Sequence, residues 1–374
     1  MHNSILIWCF ILISNYALIN GDDVPETVHR ESIIAQSSSF EKELEKSDAF
    51  IRNEPLHNYL NDVLHRISGD SRYKVKVLLS PSLNAFATAH GTIYICTGLL
   101  ARIQNEAQLA ALLSHEMVHI INDHAYRNLF NAKQIALSSA RKQIGLEFFF
   151  GSLATNVVSL TLRSAISGYS RDLEREADSL GLINMKKASY APIEFRNLFL
   201  ILKNHIEKEN IEQPYFFSTH PAITERIDNY YQLAGKDTVQ TAQGLVNDAI
   251  YNKMINSVLH TDGVMKIASG DLHNAEVNFS RILGSDSSNA QAFLQLGNIV
   301  RLRSAPHANK DVFKWYYRAK DIDNTGEVLR ELGFYYFKIG NIDSAACFLS
   351  SYLHNHPLSP YQPIVEDYLK KCAR

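Results

Sequence analysis

Two histidines four residues apart, His115 and His119, stand in the run LLSHEMVHIINDH, residues 112–124, with Glu116 beside the first. On a helix, residues four apart lie over one another, so both imidazoles face one point. Neutral imidazole nitrogens are good zinc ligands, and two at this spacing form half of a tetrahedral site. Glu116 sits one step round, where its carboxylate can take a proton from a water held at that point. Metal-assisted hydrolysis is the chemistry such a set supports. An amphipathic helix with polar residues near its exposed edge would show the same letters, so a third ligand decides.

Residues 169–182, YSRDLEREADSLGL, offer one. Glu174 and Asp178 are four apart, so their carboxylates share a helix face. Glu174 would complete a set of two histidines and one carboxylate, leaving the fourth position open for water. Asp178 is placed to accept a hydrogen bond from the second nitrogen of a ligand histidine, fixing its tautomer. Glu176 points elsewhere, towards solvent or an arginine. The competing reading is a charged surface helix in which Arg171, Asp172 and Arg175 pair locally.

The elements that must position these groups are legible in outline. No glycine or proline interrupts residues 105–127, and apolar residues recur with helical period, which predicts a helix with one buried stripe. Upstream, residues 37–67 read as helical, with Ser39 as a cap and Pro55 as the point where two helices divide. Residues 73–79, YKVKVLL, alternate like a strand, and runs 84–88 and 92–97 follow around Ala89-His90-Gly91. A small sheet beside a metal-bearing helix suits a peptidase, because an edge strand binds an extended peptide through its backbone. A plain structural meander is the alternative. Residues 128–168 read as helical. Their apolar stretch 148–162 lies between Glu147 and Arg163 and is short for a membrane span, so a hairpin or lid over the cleft is expected.

With both motifs in view, the chain resembles family forty-eight of the metallopeptidases, the family of HtpX and the CAAX prenyl proteases. The resemblance rests on His115-Glu116-His119, on Glu174 with Asp178, on Asn84-Ala85-Phe86, on Thr97-Gly98-Leu99-Leu100 and on Ser170-Arg171. It implies one zinc ion per chain on His115, His119 and Glu174, with Glu116 as catalytic base and a structural role for His124. It also implies that Asn84 and Ala85 meet substrate. Ser218-Thr219-His220-Pro221 and Arg226 resemble the family's segment beside the cleft. There His220 would stabilise an oxyanion or occupy the open zinc position, unless it merely caps a turn. Arg226 would orient substrate, steady the oxyanion or anchor its helix. His90-Gly91 departs from the two glycines that relatives often carry, which concerns the local turn only.

Composition narrows the setting. The 374 residues, 46% hydrophobic and 20% charged, suit a soluble protein of two domains. A formal charge of -2 provides no basic field for nucleic acid. Residues 4–18, SILIWCFILISNYAL, have about the length of a signal-peptide core, and Ala17 and Gly21 offer cleavage points. His2 is the sole n-region residue that can carry positive side-chain charge, so an uncleaved anchor is kept as an alternative. Beyond Cys9, the cysteines 96, 347 and 372 lack C-x-x-C spacing, which excludes a cysteine zinc site; Cys347 and Cys372 are either paired or isolated.

Gly263, Gly297 and Gly333 are spaced by 34 and 36 residues, the tetratricopeptide period with a two-residue insertion. Gly270 pairs with Gly340 and Ala275 with Ala345 in the same register. Three helix pairs and a closing helix over 361–371 would form a short solenoid with a concave face.

The expected fold is therefore mainly α: a signal peptide over 1–21, an α+β zincin-like peptidase domain with a small sheet over 22–235, and an α-solenoid of repeats over 245–374. The resemblance lies nearest to the family's exported, repeat-bearing branch. It implies a periplasmic zinc endopeptidase that clears unfolded or misassembled envelope proteins, with the repeats contacting the outer-membrane assembly machinery. A repeat-bearing chaperone or adaptor with latent peptidase activity is the alternative from a different class. A membrane-anchored protease facing the periplasm is a third, and peripheral membrane contact is kept open.

Overall fold

The structure is a computed structural model that describes residues 26–125, 127, 169–208, 223–234, 242–303, 310–324 and 326–373. The signal peptide, the apolar run 148–162 and His220 lie outside them. α1 (Glu26–Glu45) begins upstream of the expected cap. Ser39 is thus mid-helix, and its hydroxyl donates to the Ala35 carbonyl at 3.0 Å, as serines inside helices do. α2 (Glu54–Ser68) is capped by Asn53, whose side chain accepts the Leu56 N–H at 3.0 Å. Pro55 lies in the first turn, where its missing N–H costs nothing, so it starts this helix rather than ending the previous one. Leu56, Leu60 and Leu64 are fully buried, each contributing about 2 kcal/mol.

The sheet has three strands, β1 (Lys74–Leu78), β2 (Ala85–Ala87) and β3 (Thr92–Cys96), in the order β1-β3-β2. β3 is central, parallel to β1 and antiparallel to β2. It is buried at every residue, the pattern of a strand covered on both faces. α3 (Thr97–Arg102) follows without a loop, and α4 (Glu106–Ile121) is capped by Asn105, which accepts the Gln108 N–H at 2.8 Å.

α4 is the axis of the fold. It is buried from Glu106 to His119, not along one stripe, because α2, the sheet and the later helices enclose it. It also ends earlier than its sequence predicts. Asn122 caps it, and Asp123 takes a left-handed backbone with φ of 51°, which breaks the helix before helical structure resumes at His124. The first turn is tied down by Glu106, whose buried carboxylate accepts from Tyr59, Arg66, Tyr190 and Asn247 at 2.8–3.0 Å. The negative charge also suits a helix N-terminus.

α5 (Arg171–Lys187), capped by Ser170, packs along α4. Gly181 makes the close approach feasible, since a Cβ there would lie 3.2 Å from the His115 backbone nitrogen. α6 (Ile193–Lys208) and α7 (Ile223–Ala234) complete this part. No helix among the described residues is long and apolar enough to cross a membrane.

After the short α8 (Asp248–Met254), helices come in pairs: α9 (Asn256–Ala268) with α10 (Leu272–Ser285), α11 (Ala290–Arg303) with α12 (Lys310–Ile322), and α13 (Glu327–Lys338) with α14 (Ile342–Asn355). α15 (Gln362–Cys372) packs on the last pair. The spaced glycines have one steric cause. A Cβ on Gly263, Gly297 or Gly333 would overlap Phe279, Tyr316 or Leu349 on the paired helix. The first pair is not a separate body. Val258, Leu259 and Phe279 belong to the same apolar core as Leu109 and Leu113 of α4. Arg102 of α3 reaches the buried Asp262 of α9 at 3.5 Å and donates to Asn278 of α10 at 2.6 Å. The stretch leading into α8 is packed as well: the Ala107 N–H donates to the Val246 carbonyl at 3.2 Å. Cys96, Cys347 and Cys372 are all free thiols, and Cys96 is buried.

Candidate metal centre

α4 presents His115 and His119 on one face, and α5 brings Glu174 across from them. His115 Nε2 and His119 Nε2 are 3.1 Å apart; His115 Nε2 lies 3.5 Å from Glu174 Oε2, and His119 Nε2 lies 3.5 Å from Glu174 Oε1. Ligands at zinc bond lengths of 2.0–2.1 Å in a tetrahedron stand about 3.4 Å from one another. These separations are of the size a zinc ion needs, and the three residues form a group able to hold a metal. Charge agrees with size. Glu116, Glu174, Asp178 and Arg226 are all at most 4% exposed. Three carboxylates against one guanidinium leave two negative charges in a dry site, which a divalent cation offsets.

The groups behind the ligands orient them. Asp178 Oδ1 lies 3.0 Å from His115 Nδ1. With that proton donated to Asp178, the lone pair of Nε2 faces the site. Arg226 donates from Nε to Asp178 Oδ2 at 2.8 Å and reaches Glu174 Oε2 at 3.3 Å. Its guanidinium lies over the Phe199 ring, 4.1 Å from the centroid. Burial works against its charge, yet Asp178 and Glu174 hold its pKa above the usual arginine value. His119 is held differently. The Tyr169 ring stacks on it at 3.9 Å and 12°, and His124 Nδ1 lies 2.8 Å from its Nδ1. Burial, then the charges of Glu116 and Glu174, raise the Tyr169 phenol well above its ordinary pKa.

Measured against the sequence reading, His115, His119 and Glu174 come together, with Glu116 buried beside them on α4. Asp178 sits behind His115. Arg226 lies among Asp178, Glu174 and Phe199, and its Nη2 reaches His115, 3.0 Å from Nδ1 and 3.4 Å from Nε2, so it ties α7 to both ligand helices. Glu176 meets Arg127 at 2.9 Å and Asn122 at 2.6 Å. Ala85 opens the edge strand β2 and Asn84 directly precedes it, but the two residues are 1% exposed for Asn84 and 0% for Ala85 and present no free surface to a peptide in this conformation. His220 is outside the described residues. Sequence reasoning missed Tyr169: it precedes the capping Ser170 and belongs to no periodic pattern, so its stacking on His119 had no signal.

Comparison with known proteins agrees with this geometry. Residues 51–233 match the sequence profile of Peptidase family M48. The mitochondrial metalloendopeptidase OMA1 of Saccharomyces cerevisiae is 29% identical over 164 residues, covering 42% of this chain and 46% of that protein. A putative beta-barrel assembly-enhancing protease of Vibrio cholerae is 23% identical over 217 residues, 52% of this chain and 45% of its own length. The beta-barrel assembly-enhancing protease of Escherichia coli is 23% identical over 216 residues, 50% of this chain and 43% of its own. The chain thus spans about half the length of the curated relatives it matches.

Proposed function

Because residues 51–233 of this chain belong to peptidase family M48, we propose that the protein is a zinc-dependent endopeptidase that cleaves unfolded or misassembled envelope proteins. The observation that carries the reading is the convergence of the buried ligand atoms of His115, His119 and Glu174. Zinc bound there would polarise a scissile carbonyl and lower the pKa of a nearby water towards about 7. Glu116 is the residue that would take a proton from a water held at the site and return it to the departing amine. Asp178 keeps His115 in the tautomer that leaves Nε2 free, and Arg226 balances the charge of Asp178 and Glu174. The outer strand β2 pairs with β3 on one side only; its other edge is buried in this conformation, so an extended chain could add there as a further strand only once that edge is uncovered. His220 is kept as the oxyanion partner or as an occupant of the open position.

The substrate class and setting rest on two supports: the names of the β-barrel assembly-enhancing relatives, and the export reading of residues 4–18. The paired helices α9 to α15 are read as tetratricopeptide-type repeats, in a domain over 245–374, whose concave face receives assembly-machinery partners. A second reading is favoured by one observation. With Glu116, His115 and Glu174 at 0–2% exposure, the site is closed in this conformation, as a repeat-bearing adaptor with latent activity would have it.

The test is cleavage of fluorescein-labelled casein by the full chain. Removing metal with a zinc chelator is expected to bring cleavage to background, and added zinc to restore it. Undiminished cleavage by the metal-free protein would overturn the reading. Absence of cleavage by zinc-loaded protein would favour the adaptor.

A further inference from the structure

The Asp178 arm explains how His115 is oriented; His119 is held by a different neighbour. Its Nδ1 faces another imidazole, that of His124, at 2.8 Å. His124 is fully buried, and the two rings meet edge to face, 4.8 Å apart with 75° between their planes. The contact exists because the left-handed Asp123 ends α4 and sets the ring of the next residue against His119. On the far side, His124 Nε2 faces a Glu176 carboxylate oxygen at 3.6 Å. Glu176 is in turn fixed by Arg127 and Asn122.

We propose that His124 is a positioning residue for the metal site: it accepts a hydrogen bond from His119 Nδ1 and so commits the Nε2 lone pair of His119 to the metal. The polarity of the chain follows from Glu176. A carboxylate facing Nε2 of His124 favours a proton on that nitrogen and disfavours a lone pair there. Nδ1 of His124 is then the bare nitrogen, able only to accept. Two imidazole nitrogens 2.8 Å apart hold a single proton between them, so it belongs to His119 Nδ1. Nε2 of His119 is left unprotonated and directed at Glu174 and His115. Tyr169, stacked on the His119 ring, hinders its rotation. The run Arg127–Glu176–His124–His119 thus does for the second ligand what Arg226–Asp178 does for the first. The alternative is a buried histidine that only fills space.

The inference rests on His119 being a ligand, so the test begins with zinc binding by the full chain. His124→Phe keeps an aromatic ring but cannot accept, whereas His124→Asn places an acceptor where Nδ1 stood. Chelator competition is expected to show zinc affinity lowered about 10- to 100-fold in His124→Phe and largely recovered in His124→Asn. The metal-free melting temperatures should match the wild type. In zinc-loaded wild-type protein carrying 15N-labelled histidine, His124 is expected as the Nε2–H tautomer. The proposal is overturned if His124→Phe binds zinc like the wild type, if His124→Asn is as weak as His124→Phe, or if His124 carries its proton on Nδ1. Should His124→Phe fail to fold, the tautomer in the wild type decides. Wild-type protein that binds no zinc would defeat the peptidase reading itself, an outcome distinct from all of these.

Discussion

Glu116→Gln is expected to reduce cleavage of casein by about 10³-fold, with a range of 10²–10⁴ for loss of a general acid–base group, while zinc stays bound. The amide keeps the shape of the carboxylate but cannot take a proton. Glu116 is outside the group of ligand atoms, so metal binding has no reason to fall. The variant therefore separates two classes of function. If the chain acts by hydrolysis, cells carrying Glu116→Gln lose its function together with the activity. If the repeats do the work, function persists with zinc bound and cleavage gone, and the adaptor reading replaces the peptidase. Peptidase assay, zinc analysis and complementation on one variant give the answer.

Arg226→Met has the second largest expected effect, and it falls on stability. The side chain is close in length and buried at a site already rich in carboxylates. Its loss leaves Asp178 and Glu174 buried without their cation. Removing one partner of a buried pair costs about 3–5 kcal/mol. In the metal-free protein this should appear as a lower denaturation midpoint, and added zinc should recover part of it by offsetting the same carboxylates. An Arg226 that steadied the oxyanion would behave otherwise, lowering turnover in a protein of unchanged midpoint. That outcome would return Arg226 to the catalytic role read from sequence.

The site was legible because helices repeat. His115 with His119 and Glu174 with Asp178 each sit one turn apart, and that spacing alone predicts two convergent pairs. What brings the pairs together was not legible. The meeting of α4 and α5 depends on Gly181 lying against the His115 backbone, and an isolated glycine in a helix carries no address. The early end of α4 was missed for a related reason. Asp123 is not a glycine, and its left-handed backbone leaves no mark in the composition of residues 105–127. Consequently His124 read as one more position of α4, when it opens a new helical turn after the break, with its ring against His119. Strand existence followed from alternation, but the central place of β3 depends on long-range pairing with β1 and β2. In the C-terminal half, the glycine spacing predicted the helix pairs well, since each glycine answers a bulky residue on its partner helix. The fusion of the first pair to α3, through Arg102 and Asp262, involves residues 160 positions apart and could not be read locally.

The central claim is that one divalent ion joins two histidines of α4 to an acid of α5. Zinc per chain, measured by elemental analysis after exhaustive dialysis, tests it most directly when wild type and Glu174→Ala are compared. Close to one zinc ion in the wild type and close to none in Glu174→Ala is the predicted result. Equal zinc in both proteins would place the metal elsewhere and contradict the account.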